Sequence, residues 1–389
     1  MMMLSILLAN CLIAPSMKNS DIDALVKQVD AVRLKSTVTK LASWPNRNTN
    51  NPTLTEAAEW IASQYATIPG LKVEIMQYKV EKSSRIPEAK EVVQVIATLP
   101  GKNSNRVMVG GHMDTVNMTP GATLDSPAPG ANDDASGVAL SLEMARILST
   151  QKWNQTLCFI AFSGEEQGLL GSTALAKRAK AESWQIDAVL SNDMVSNSSN
   201  KLGQKDNKQV RVFSEESQTH HGRELARWIE WIQRSSGSKF GVKLVLRPDR
   251  FGRGGDHTPF NREGFTAVRF VEVHEEYSRQ HTPDDLPEFV DEKYLAEVAK
   301  VNLRAMANLA DAAPSPSSVK VSPKQGYDSQ LSWEGDASAE YVVYWRDTRS
   351  AIWEHSKVVK GLTVTINEAQ KDDVFFAVGA VGGIPVLAR

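Results

Sequence analysis

Val107-Met108-Val109 passes directly into Gly110-Gly111-His112-Met113-Asp114. A short apolar run that ends on two glycines reads as a buried strand, and the residues after them are metal-ligating types. The same succession recurs along the chain. Residues 156–162 (Thr-Leu-Cys-Phe-Ile-Ala-Phe) lead into Ser163-Gly164-Glu165-Glu166, and Ala188-Val189-Leu190 leads into Ser191-Asn192-Asp193. The apolar run 267–273 leads into a loop that holds His281, and 93–98 is a further apolar run. Helical periodicity occupies 25–41, 57–66, 138–148, 224–232 and 294–310. Strands alternating with helices predict an α/β fold, a mainly parallel mixed sheet sandwiched by helices. In such open sheets ligands bind outside the carboxyl ends of the strands. Asn132-Asp133-Asp134, in a Gly/Pro-rich loop before the 138–148 helix, adds a fifth group to that rim.

Composition bounds what this rim can do. The chain has 389 residues, 41% of them hydrophobic and 23% charged, with a formal net charge of -2. Those are values of a globular protein, and the length suits two to three domains or one large α/β unit. No basic excess marks a nucleic-acid partner, and no apolar run is long enough to span a bilayer. Cys11 and Cys158 are the only two cysteines, too few for a disulfide framework or a thiolate zinc site. A metal in this chain must be held by histidine and carboxylate.

Outside the main body, expected over 21–312, the two ends differ in character. Residues 1–17 contain the apolar stretch Leu4-Ser5-Ile6-Leu7-Leu8-Ala9-Asn10-Cys11-Leu12-Ile13-Ala14, which fits a signal-peptide core and hence an exported protein. Against that, the first basic residue is Lys18, behind the core, and no clear A-x-A cleavage site follows. At the other end, residues 313–318 form a Pro- and Ser-rich linker. Beyond it, 319–389 carries short alternating segments at 319–321, 330–333, 341–345 and 374–378, which read as a β-sandwich. The Trp333 strand followed by the Tyr344 strand resembles a fibronectin type III module.

Each motif on the rim has an ordinary reading by itself. Asn132-Asp133-Asp134 is an N-cap, Glu165-Glu166 a solvated helix start, and His281-Thr282-Pro283-Asp284-Asp285 a turn. Jointly, two histidines and three to four carboxylates at one edge suit zinc or another first-row divalent ion. The inventory is large enough for two ions bridged by a carboxylate. His220, His221 and His274 sit in polar stretches and read as surface residues, Tyr277 as a possible lining residue, and Trp228, Ile229 and Ile232 as core. Sequons stand at Asn117, Asn154 and Asn197, none taken as evidence of modification. Cys158, within an apolar strand, reads as a buried structural thiol.

Taken in order, Gly110-Gly111-His112-Met113-Asp114, Gly130-Ala131-Asn132-Asp133-Asp134-Ala135-Ser136-Gly137, Gly164-Glu165-Glu166-Gln167-Gly168-Leu169-Leu170-Gly171-Ser172, Asn192-Asp193-Met194 and His281-Thr282-Pro283-Asp284-Asp285 resemble the co-catalytic zinc exopeptidase family of bacterial leucyl aminopeptidase, plasma glutamate carboxypeptidase and glutaminyl cyclase. The resemblance implies two zinc ions per chain. Asp133 would bridge them, His112 and Asp193 would complete one, and Glu166 and His281 the other. It further implies Glu165 as general base, Asp114 as the carboxylate orienting His112, and a cis peptide between Asp133 and Asp134. Asp256-His257-Thr258-Pro259-Phe260 resembles the family's Ser-Asp-His-x-Pro-Phe loop, with Gly255 where that pattern has serine.

The expected function is a secreted, monomeric zinc aminopeptidase acting on peptides with a free N-terminus, with no nucleic acid partner. Alternatives are a single-zinc glutaminyl cyclase, a carboxypeptidase or dipeptidase, and a metal-free, peptidase-like binding ectodomain.

Overall fold

Every residue of Thr156–Phe162 is buried, as its unbroken apolar composition requires of a strand covered on both faces. The computed structural model describes residues 19–215, 217, 220–250 and 253–389. The apolar stretch expected to direct export, with Cys11, lies outside them. Asn19–Ala312 makes one compact unit and Ala313–Arg389 belongs to another.

The larger unit holds an eight-stranded sheet: β1 (Lys72–Val80), β2 (Lys90–Leu99), β3 (Arg106–His112), β4 (Thr156–Phe162), β5 (Ile186–Asn192), β6 (Gln209–Phe213), β7 (Gly241–Val245) and β8 (Ala267–Val271). Their spatial order is β1-β2-β4-β3-β5-β8-β6-β7. The middle strands β4, β3, β5 and β8 run parallel. β2 is antiparallel to β4 and β6 antiparallel to β8, so a parallel centre is flanked by reversed strands. The sheet is thus mixed, and its parallel part carries the chemistry-bearing strand ends.

Helices α1 (Asn19–Val26), α2 (Ala31–Leu41), α3 (Thr53–Ala66), α4 (Ala135–Leu148), α5 (Leu170–Ala181), α6 (Gly222–Ser235), α7 (His257–Arg262) and α8 (Glu292–Asp311) complete this unit. The single helical stretch expected over 25–41 is in fact two helices. Asp30 leaves the helical region at φ -111°, and its carboxylate accepts from the Val32 and Arg33 amides as the N-cap of α2. In α4 every residue but Arg146 is buried, so this helix lies between sheet and neighbouring helices rather than at the surface. Trp228, Ile229 and Ile232 of α6 are core, as their spacing predicts. Strands β1, β6 and β7 have no counterpart in the sequence reading. β1 alternates charged with apolar residues, and no residue of β7 is fully buried.

In the smaller unit, seven strands form two antiparallel sheets. These are β9 (Ser317–Val321), β10 (Ser329–Glu334), β11 (Glu340–Asp347), β12 (His355–Lys360), β13 (Thr363–Ile366), β14 (Val374–Ala380) and β15 (Val386–Leu387). One sheet runs β13-β10-β9 and the other β12-β11-β14-β15. Leu331, Trp333, Tyr341, Val343 and Val378 share one apolar core, with the Trp333 and Tyr341 rings edge-on at 5.4 Å. This fits a sandwich of the fibronectin type III kind. Strand begins at Ser317, so the stretch expected as a linker over 313–318 gives way two residues sooner. Cys158 is buried and free in β4. No described helix is long and apolar enough to cross a membrane.

β3 and α4 meet so closely that side chains are excluded at the contact. A Cβ on Gly111 would lie 2.5 Å from Asp134 Oδ2 and 2.7 Å from the Gly137 carbonyl carbon. Gly111→Ala is therefore expected to push β3 off α4 and lower stability by about 1–3 kcal/mol. A lower urea midpoint for loss of tryptophan fluorescence would show it, and an unchanged midpoint would contradict this packing.

Candidate metal centre

The parallel strands deliver their ends to one edge. β3 closes on His112, the turn after β4 carries Glu165 and Glu166, Asp193 follows β5, and the loop after β8 carries His281. Asp133 lies immediately ahead of α4, and its peptide bond to Asp134 is cis. Each of these loops contributes side chains to one cleft, a cavity of about 410 Å³ lined among others by Asp133, Glu165, Glu166, Asp193 and His281.

Two three-donor groups result, His112-Asp133-Asp193 and Asp133-Glu166-His281, with the ligand atoms of each within 4.8 Å of one another. His112 Nε2 stands 3.1 Å from Asp133 Oδ1 and 3.7 Å from Asp193 Oδ1. His281 Nε2 stands 3.1 Å from Asp133 Oδ2 and 3.1 Å from Glu166 Oε1. Asp133 thus turns one oxygen to each group. Glu165 belongs to neither group and faces the same cavity.

The donor set fits zinc on its own evidence. Glu166 Oε1 is buried with no well-formed hydrogen bond, although His281 Nε2 approaches it. Such an orphaned buried anion is costly unless a cation meets it. Burial pushes the Glu166 carboxyl up to about 7, with Asp133 adding to the shift. Burial also raises Glu165 well above the ordinary carboxylate range. For His281 burial works downward, yet Asp133 and Glu166 carry the imidazole up to about 11. His112 is likewise raised, against burial, by Asp133 and Asp193. The cluster draws positive charge to itself, which a divalent ion would satisfy by displacing protons. Nitrogen and oxygen donors without thiolate are ligands zinc accepts.

A second layer of buried groups holds these ligands in place through the main chain. Asp134 Oδ2 accepts from the His112 amide at 3.0 Å, while Oδ1 accepts from Gly137 at 2.9 Å and Met194 at 3.3 Å. One carboxylate thereby joins the end of β3, the start of α4 and the loop after β5. Asp285 accepts from the amides of Asn132 at 3.0 Å and Asp133 at 2.9 Å, fastening the Asp133 loop to the loop of His281. Asp114 accepts from the Glu165 amide at 3.2 Å and the Glu166 amide at 3.1 Å. Its nearer contact to His112 is through its backbone carbonyl, 3.1 Å from Nδ1, with the carboxylate at 3.7 Å. The imidazole is thus oriented mainly by that carbonyl, and the carboxylate spends itself on the two glutamate amides.

Beneath these loops lies Arg47, fully buried, donating to the carbonyls of Met113, Leu41, Pro129 and Gly130. Burial lowers its guanidinium to about 10, with Asp285 and Asp114 opposing. Arg269 Nη2 pairs with Asp193 Oδ2 at 2.9 Å, and Gln280 Nε2 donates to Asp133 Oδ2 at 2.8 Å. None of Asp134, Asp285, Arg47, Gln280 or Arg269 was assigned a role from sequence. Asp285 and Asp134 lay inside motifs already singled out; Arg47, in a loop of polar residues, gave no signal.

Other expectations are settled by burial. His220 is buried rather than a surface residue. Tyr277 is exposed, accepts from Arg250 at 3.3 Å and does not line the cavity. The loop of Asp256 and His257 packs beside the site. Burial, reinforced by Arg269, lowers the His257 imidazole to about 3, so it stays neutral. The sequon Asn197 is buried, and Asn154 donates to the Asp311 carbonyl.

Comparison with known proteins places this geometry. Residues 94–306 match peptidase family M28. A "Probable zinc metalloprotease" of Pyricularia oryzae is 36% identical, over 95% of this chain and 84% of its own length. One of the same name from Pyrenophora teres f. teres is 34% identical, over 95% and 86%. Among solved structures, the LapA aminopeptidase of Legionella pneumophila aligns with TM-score 0.61 at 20% identity, covering 80% of this chain and 79% of that one. A glutaminyl cyclase of Fimbriiglobus ruber aligns with TM-score 0.58 at 20% identity, covering 72% and 95%. At those identities the likeness is one of fold.

The Asp285 clamp makes a measurable claim. Asp285→Ala should leave far-UV circular dichroism in place yet weaken zinc retention about 10–100-fold, read by competition with a chromogenic chelator. Native-like zinc affinity would remove Asp285 from the support of Asp133.

Proposed function

Because the chain belongs to peptidase family M28 and is a zinc metallopeptidase, we propose that it is a two-zinc aminopeptidase that releases the first residue of peptides. The observation carrying this reading is the pair of three-donor groups that share Asp133. His112, Asp193 and one Asp133 oxygen would hold one ion; Glu166, His281 and the other oxygen would hold the second. When bound, such ions supply an acidified water and polarise the scissile carbonyl.

The chain's own groups do the rest. Glu165, free of both donor groups, takes a proton from the attacking water onto its carboxylate and returns it to the leaving nitrogen. Its carboxylate faces the same cavity as both donor groups, within reach of a water held between them. Asp114 keeps the two adjacent glutamates in separate duties by anchoring each amide with a different oxygen. Arg269 fixes Asp193 by an ion pair on the oxygen turned away from His112. The aminopeptidase assignment is supported by the fold shared with LapA.

Two variants and one count test this. Glu165→Gln should keep both zinc ions while losing about 10²–10⁴ in turnover, measured on Leu-, Met- and Arg-p-nitroanilides; near-native rates would refute the base. Asp133→Ala should lose zinc from both groups by elemental analysis, and full occupancy would refute the shared ligand. In the native chain, two zinc ions with anilide hydrolysis support the proposal. One zinc with cyclisation of N-terminal glutamine would replace it with a cyclase.

A further inference from the structure

Arginine is the unusual residue on the wall of the catalytic cavity. Arg85, Arg253, Arg262 and Arg269 all line it, beside the four carboxylates already assigned to metal and base. Two of the four are compensated. Arg269 pairs with Asp193 and with Asp249, each at 2.9 Å, and Arg253 pairs with Glu275 and with Asp249. The other two meet no carboxylate among the described residues. Arg85, between β1 and β2, donates from Nη1 to the Glu166 carbonyl at 2.6 Å, which fixes one edge of its guanidinium and leaves the rest open. Arg262 closes α7 and is exposed, and its side chain has neither a hydrogen bond nor an ion pair among the described residues.

The rest of the wall sharpens the point. Among the described residues, no lining carboxylate remains to receive a basic side chain, and Met118 and Leu169 are the large apolar side chains on the wall. A guanidinium fork with open donors matches a carboxylate in charge and in plane. Open cationic groups on the wall also attract an oppositely charged substrate, an effect that salt screens.

We propose that Arg85 and Arg262 form an anion-receiving wall, so that the favoured peptides carry a carboxylate next to the scissile bond. The inference rests on the peptidase reading but not on which end of the peptide is cleaved. That carboxylate comes either from an acidic side chain or from a free C-terminus, and paired substrates separate the two. One pair is a glutamyl peptide amide against its glutaminyl isostere; the other is Leu-Leu against Leu-Leu-amide.

The experiment uses the zinc-loaded full chain and reads the ratio of kcat/KM within each pair, which cancels general losses. A preference of about tenfold or more for the carboxylate member of one pair is expected. It should fall to near one in Arg85→Gln/Arg262→Gln and shrink with rising salt. Equilibrium titration of the same pairs into zinc-loaded Glu165→Gln chain should show the same discrimination without turnover. Hydrolysis of both pairs with ratios near one, or a preference that survives the double substitution, overturns the anion wall and leaves the peptidase reading standing. No hydrolysis of any of the four peptides, together with no binding to the Glu165→Gln chain, overturns both.

Discussion

Buried carboxylates that accept main-chain amides hold this site together. Asp134, Asp285 and Asp114 each lie in the protein interior, where an unpaired charge would be strongly unfavourable. Each is met by amides from loops that carry the candidate ligands: His112, Gly137 and Met194 for Asp134, Asn132 and Asp133 for Asp285, Glu165 and Glu166 for Asp114. A charge-assisted bond to a backbone amide is stronger than a neutral one, and it fixes the chain rather than a rotatable side chain. Five loops that would otherwise be independent are thereby bound into one object. Arg47 does the complementary work from below, donating to four carbonyls of the same loops and their neighbours.

With the loops fixed, the inner side chains have little freedom to avoid one another. Asp133 lies within 3.1 Å of both imidazoles, and Glu166 Oε1 is turned into the same space without a settled partner. Burial raises the two glutamates, and the neighbouring carboxylates raise both histidines, so the cluster holds more anionic groups than its imidazoles alone can balance. A pair of divalent ions answers that shortage with ligands the scaffold already points inward. Rigidity of support and frustration of the inner groups are therefore two sides of one arrangement.

Much of this was legible in the chain itself. Apolar runs at 107–109, 156–162, 188–190 and 267–273 read as buried strands because a strand covered on both faces tolerates no polar alternation. Their shared direction put His112, Glu165, Glu166, Asp193 and His281 on one rim. Less legible were β1, whose charged outer positions mask its periodicity, and the break at Asp30, where one capping carboxylate divides a continuous helical pattern. His220 misled for a related reason: polar neighbours in sequence say little about which side chains a fold covers.

What sequence alone determined was the identity of the participating groups: strand ends carrying His and carboxylate, no thiolates, and the order of motifs along the chain. Chemistry of that kind is written residue by residue and survives without coordinates. Only the tertiary structure decided the pairing. It turned the two oxygens of Asp133 toward different histidines, gave Asp285 to the Asp133 loop across more than 150 positions of sequence, and set Arg85 and Arg262 on the wall of the same cavity. Those relations depend on which loops a mixed sheet brings side by side, and separation along the chain carries no record of them.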